Sequence, residues 1–104
     1  MTTISLPALF GKWRVDPTDL AAVDRFGETE LHFRNDGILI YTVKDETKDE
    51  IAILRFRVDG DVLITDQPSE PREERTRFGL TEDGRLFLDD GHGRAHYVRI
   101  QLGT

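Results

Sequence analysis

Short runs of alternating apolar and polar residues fill most of this chain, and the turns between them carry Gly or Asp. β-Branched and aromatic residues are frequent in the runs, so the period of two marks half-buried strands. Strands are predicted near 10–15, 27–34, 38–44, 50–58, 61–66, 73–81, 85–89 and 95–102. One stretch reads as a helix of one or two turns after the first strand. Asp16 can cap it, Pro17 suits the first helical position, and Leu20 with Val23 give a narrow apolar stripe.

Three turns share one signature: Asn35-Asp36-Gly37, Val58-Asp59-Gly60 and Glu82-Asp83-Gly84. Each suits a three-residue hairpin loop ending in a left-handed Gly. That loop sets Phe33 opposite Leu39 and Leu31 opposite Tyr41, Phe56 opposite Val62 and Leu54 opposite Ile64, and Leu80 opposite Leu86 and Phe78 opposite Leu88. Every pairing joins apolar residues on one face, as a buried inner surface requires. The other face pairs Glu28 with Lys44, Arg57 with Asp61 and Arg77 with Asp89, and sets Gly79 across from Phe87. A two-residue loop at Asp59-Gly60 mixes the faces, so the longer loop is preferred there.

A regular antiparallel meander has two exposed edges, which disappear when the first strand pairs with the last. The fold expected is therefore all-β: a closed up-and-down antiparallel barrel of about eight strands, with an open sandwich as the alternative. The 104 residues suit a single domain, 1–104. With 14 Lys+Arg against 20 Asp+Glu the formal charge is −6, which disfavours nucleic acid and anionic membrane as partners. Cys is absent, so disulfides, thiol chemistry and thiolate metal sites are excluded. No segment has the pattern of a secretory signal or a membrane span, and a cytoplasmic location is expected.

Leu9-Phe10-Gly11-Lys12-Trp13 carries a Gly-x-Trp motif at the opening of the first strand, and Tyr97-Val98-Arg99 lies in the last. In these residues the chain resembles the lipocalin and avidin-like proteins of the calycin superfamily. The resemblance implies that Trp13 plugs the closed end and that Arg99 packs over it. It also implies tight second, fourth and sixth connections at that end, with longer ones around a mouth. Here those longer segments are Asp16–Phe26, Asp45–Asp49, Gln67–Arg72 and Asp90–Arg94. The chain is shorter than a secreted lipocalin and lacks its disulfide and long C-terminal helix.

Inward positions near the mouth include Thr29, Tyr41, Glu50, Glu74, Thr76 and His96, a polar ring over an apolar floor that suits a small-molecule site. The bland alternative is a solvated barrel rim. His92 and His96 with Asp89 and Asp90 invite a metal reading, but a Gly-rich loop gives them no ligand spacing, so they read as turn residues and no metal or cofactor is expected. The outward Arg55, Arg57, Arg75 and Arg77 form a stripe around Leu63, read as a charge-paired solvated face. Gln67-Pro68-Ser69-Glu70-Pro71 reads as a stiff lip.

The leading reading is non-catalytic binding of a small, mostly apolar or cationic molecule at the long-loop mouth. One alternative is a barrel cyclase or isomerase in which His96, Glu74 or Tyr41 moves a proton. Another is an interaction module, foremost a homodimer, using the outward Ile38, Ile40, Ile51, Ile53, Leu63 and Phe87.

Overall fold

A computed structural model describes residues 6–68 and 72–100. The strands are β1 Gly11–Val15, β2 Glu28–Phe33, β3 Ile38–Lys44, β4 Glu50–Asp59, β5 Val62–Asp66, β6 Glu73–Leu80, β7 Leu86–Asp89 and β8 Arg94–Arg99. Each pairs antiparallel with the next, and β8 returns to β1, giving the closed up-and-down barrel of eight strands that the pattern predicted. The end of the expected last strand, 101–102, lies outside the described residues.

The sheet closes through Trp13 opposite Arg99, Arg14 opposite Val98 and Val15 opposite Tyr97. This short seam is extended at both ends by backbone hydrogen bonds, Asp16 N–H to the His96 carbonyl at 2.8 Å and Ile100 N–H to the Lys12 carbonyl at 2.9 Å. It is sealed from below by side chains. The Arg99 guanidinium lies 4.2 Å from the centre of the Trp13 ring and donates to the carbonyls of Phe10 at 2.7 Å and Ala8 at 2.5 Å. Trp13 Nε1 donates to the Leu9 carbonyl at 3.0 Å. These acceptors belong to a one-turn helix the periodicity did not reveal, α1 Leu6–Leu9, and to the residue after it. Its last carbonyls have no partners within the helix, so the indole and the guanidinium satisfy them. Leu9, wholly buried, closes the bottom with Trp13, Leu31, Phe33 and Leu86.

Inside, alternate residues of every strand meet in one core. Phe33 and Phe56 touch edge to face, ring centres 5.2 Å apart at 83°. The first and third hairpins have the predicted register, Phe33 opposite Leu39 and Phe78 opposite Leu88, around three-residue loops with Gly37 and Gly84 at positive φ. Gly79 lies against the Phe87 ring, where an added Cβ would come within 2.7 Å of Cε1.

The middle hairpin differs from expectation. Its loop is the two-residue Gly60-Asp61, with Asp59 opposite Val62, Val58 opposite Leu63 and Phe56 opposite Thr65. Gly60 alone takes positive φ, as a Gly-first two-residue turn requires. Leu63 therefore points inward, 3 % exposed, and Ile64 outward, the reverse of the prediction. Val62-Leu63-Ile64 is apolar on both faces and carries no alternation, so the local pattern cannot choose between registers. Outward Ile64 is nonetheless only 3 % exposed, lying between Arg57 and Arg75. Both arginines reach Glu73 at 3.2 Å, and their stems shield the aliphatic side chain.

Some outer ion pairs are directly opposite, Arg55 with Asp66 and Arg94 with Asp89, and others are diagonal. Lys44 bonds Glu30 and Arg77 bonds Asp61, although Glu28 faces Lys44 and Arg77 faces Asp89 in the register. Long side chains cross a twisted sheet on the diagonal.

Arg99→Ala should cost about 2 kcal/mol, because two carbonyls lose a charged donor and the indole loses its cation. Arg99→Lys, a single ammonium in place of a fork, should recover only part of that. Gly11→Ala should be comparably destabilising, since Gly11 sits at φ +118° and a Cβ would lie 2.7 Å from Arg99 Nη1. Urea unfolding with an unchanged m value checks all three.

Candidate functional site

The three tight turns all lie at the Trp13 end, so the four longer connections gather at the opposite end of the barrel. The first of them carries the mouth's cover, α2 Leu20–Phe26. Its cap is Asp19 rather than Asp16, three residues later than expected: Asp19 Oδ1 accepts from the Ala22 N–H at 3.2 Å. Asp16 is used elsewhere, its Oδ1 accepting from Thr18 N–H at 2.9 Å and Thr18 Oγ1 at 2.8 Å and its Oδ2 from Arg85 at 3.1 Å. The turn so formed contains Pro17 and ends before the helix begins. Of the two residues assigned to the apolar stripe, Val23 packs on the barrel as expected, together with Ala22 and Phe26, whereas Leu20 is 74 % exposed.

Beneath α2 the interior is incompletely filled and leaves an open cup of about 360 Å³. Ala52, Leu54, Leu88 and Ala95 form its apolar wall, and Phe26 leans in from the helix. Polar groups enter from the sides: Tyr41 and Tyr97 deep in the barrel, Thr76 and Glu74 on β6, Gln67 and Asp90 at the rim. Three of the six predicted mouth residues, Tyr41, Glu74 and Thr76, thus share one cavity. The other three do not line it. Thr29 does face inward, but it is fully buried, its hydroxyl 3.1 Å from the Phe26 carbonyl and 3.3 Å from that of Gly27. It anchors the end of α2. Glu50 is exposed at the start of β4, opposite Val43.

His96 is on the outer wall, a correction to its inward placement: Ala95 and Tyr97 take the interior positions of β8, and strand alternation sends the residue between them outside. There its Nδ1 meets Asp19 Oδ2 at 2.9 Å, and its backbone N–H donates to the same oxygen at 3.0 Å. Burial pushes the Asp19 carboxyl up, but hydrogen bonds from the His96 ring, Ala22 N–H and His96 N–H outweigh it and hold the value below the usual range. His96 therefore pins the cover rather than joining Tyr41 and Glu74. His92 donates its N–H to Asp90 Oδ1 and Gly91 donates to Asp89 Oδ1, both as turn contacts. Among the described residues no three His, Asp or Glu side chains are grouped to hold a metal ion.

Tyr97 was the residue that sequence reasoning passed over. Counting inward from Leu86, which it faces, alternation finds it. It is 3 % exposed, and burial, with Tyr41 next in effect, pushes its ionisation far above the usual range. Its hydroxyl has no hydrogen-bond partner among the described residues, yet no enclosed side-chain polar atom there goes unpaired. The hydroxyl accordingly opens on the cup it lines. The lip at Gln67–Pro71 falls partly outside the described residues; Gln67 itself contributes to the rim.

No known family model matches the chain, nor does any curated protein or solved structure.

The network at Asp16 makes stability pH-dependent in a defined direction. Thr18, through backbone and side chain, and Arg85 lower the Asp16 carboxyl from its ordinary 3.8. A depressed folded value gives a contribution complete above the ordinary value and lost as pH falls through the folded one. Asp16→Asn should therefore cost about 1 kcal/mol at pH 7, and the gap to wild type should shrink below about pH 4. Thermal unfolding of both proteins from pH 7 to 2.5 measures it.

Proposed function

We propose that this chain is a compact lipocalin-like barrel that binds a small, mostly apolar or cationic molecule in the cup at its long-loop mouth, without chemistry. The Tyr97 hydroxyl, which has no hydrogen-bond partner among the described residues and opens on a cup of mixed apolar and polar lining, carries the reading. Open to water in the cup, that phenol is free to exchange a water for a polar group of an entering ligand. Its volume of about 360 Å³ falls at the small end of ligand pockets, roughly 300–1,000 Å³. The resemblance to calycins is supported by Gly11-x-Trp13, by Arg99 stacked on the indole and by the division of tight turns and long connections between the two ends. A proton-moving enzyme is the weaker reading because His96 lies across the sheet from Tyr41 and Glu74.

A homodimer through the outer wall is a second reading. Ile51 and Ile53 are 63 % and 57 % exposed, and Ile40 lies beside Ile53 on β3. The patch is smaller than the sequence suggested. Leu63 is inside, and Phe87 is covered on one side by Arg94, whose guanidinium stands 4.0 Å from its ring centre.

1-Adamantanol, compact and neutral, should perturb amide shifts of the cup strands in an NMR titration. Ala52→Phe, which fills the cup, should weaken it at least tenfold, by about 1.4 kcal/mol; shifts confined to the outer wall would overturn the reading. Tyr97→Phe should leave stability unchanged or slightly raised, since the hydroxyl has no hydrogen-bond partner among the described residues to lose, while weakening the alcohol several-fold. Light scattering after size exclusion decides the dimer: a dimer that Ile53→Lys converts to monomer supports it, and a monomer at high concentration removes it.

A further inference from the structure

The cup's acidic groups are not equivalent. Asp90 is held by Arg25, Nη2 to Oδ2 at 2.7 Å, and its other oxygen accepts from His92 N–H. Asp66, farther along the rim, accepts from Arg72 N–H at 3.0 Å and faces Arg55 at 3.4 Å. Glu74, on the cup wall opposite Thr65, has no hydrogen-bond or ion-pair partner among the described residues.

Three of the nearby cations are committed elsewhere, whereas Arg72, which lines the adjoining pocket with Glu74, has no ion pair among the described residues. Arg75 points out of the barrel to Glu73, and Arg77 to Asp61. Arg25, at the rim, is bound to Asp90 and stacked on Phe26 at 4.7 Å. Among the described residues no Lys or Arg lines the cup, and the formal charges on its lining are the carboxylates of Glu74 and Asp90. With Asp90 paired to Arg25, Glu74 is the unpaired carboxylate of the described lining, beside the apolar wall and the rings of Tyr41 and Tyr97. Such rings attract a cation through their faces, and Glu74, exposed at the rim, adds the modest attraction of a solvent-screened carboxylate.

Resting on the reading of the cup as a small-molecule site, we propose that its ligand is a compact amine carrying one protonated nitrogen on an apolar body, with Glu74 as the counter-ion that selects it. Anionic molecules of the same shape are disfavoured, because no Lys or Arg among the described residues lines the cup to receive them. Glu50, also acidic and also at the mouth, lies outside the cup and takes no part.

The test is calorimetric titration at pH 7 and low salt with three probes of one shape: 1-adamantylamine, 1-adamantanol and adamantane-1-carboxylate. The amine should bind roughly fivefold tighter than the alcohol, the upper range for a partly exposed ion pair, and the carboxylate weakest. Glu74→Gln should abolish the amine's advantage and leave alcohol affinity as in wild type; Glu50→Gln should preserve the advantage. An advantage equally lost in Glu50→Gln would assign it to the protein's general negative field and overturn the role of Glu74. So would an amine no tighter than the alcohol, or an advantage that survives Glu74→Gln, with the cup still standing as a binding site. If none of the three probes binds, the cup reading and this one fall together.

Discussion

The barrel depends on closing a sheet whose first and last strands meet over only a few residues. A seam that short leaves little ladder to hold it, so the side chains beneath it supply what the backbone lacks. Arg99 acts at three points at once: it forks onto the carbonyls of Ala8 and Phe10, lies on the Trp13 indole, and sits in the space a Gly11 side chain would need. Closure removes both open edges of the meander, and every backbone ladder is then internal. The same contacts tie α1 to the bottom of the barrel, so the end that carries Trp13 is filled and the end that carries the long connections is left to vary.

That asymmetry positions the cup. Tight turns let Leu31, Phe33, Phe56 and Leu86 pack to the closed end. At the other end the interior is occupied by smaller or polar residues, Ala52, Ala95 and Thr76, and the chain must span the gap with α2. The cover is attached through polar contacts at its two ends. Asp19 ties its start to His96 on β8, and Arg25 ties its last turn to Asp90. Thr29 accepts the remaining task beneath it, giving its hydroxyl to the carbonyls where the helix stops. A residue read from sequence as a ligand contact is thereby part of the support for the cavity's roof.

Charge is distributed with similar economy. The outer wall pairs its arginines with Asp and Glu on neighbouring strands and shelters Ile64 under the arginine stems. Most of these arginines are engaged on the outside, and Glu74 at the mouth has no ion-pair partner among the described residues. The net charge of −6 alone said nothing about where an unpaired carboxylate would stand.

Alternation within the strands, the Asn-Asp-Gly and Glu-Asp-Gly turns and the apolar pairs across them determined the barrel class, two of three hairpin registers and the inward placement of Tyr41, Glu74 and Thr76. These are short-range features, fixed by side-chain period and by the left-handed Gly that a three-residue loop needs. The middle hairpin was decided by tertiary structure because Val62-Leu63-Ile64 is apolar on both faces, so only its neighbours β4 and β6 specify which side goes in. The helix start was decided likewise: Asp16 and Asp19 are both competent caps, and Arg85, which reaches Asp16 from a distant turn, settles their roles. His96 went outside for the same kind of reason, since its face depends on β8 pairing with β1 and β7 rather than on its own segment. Local periodicity specifies which elements form, and long-range pairing specifies which of two faces each ambiguous residue presents.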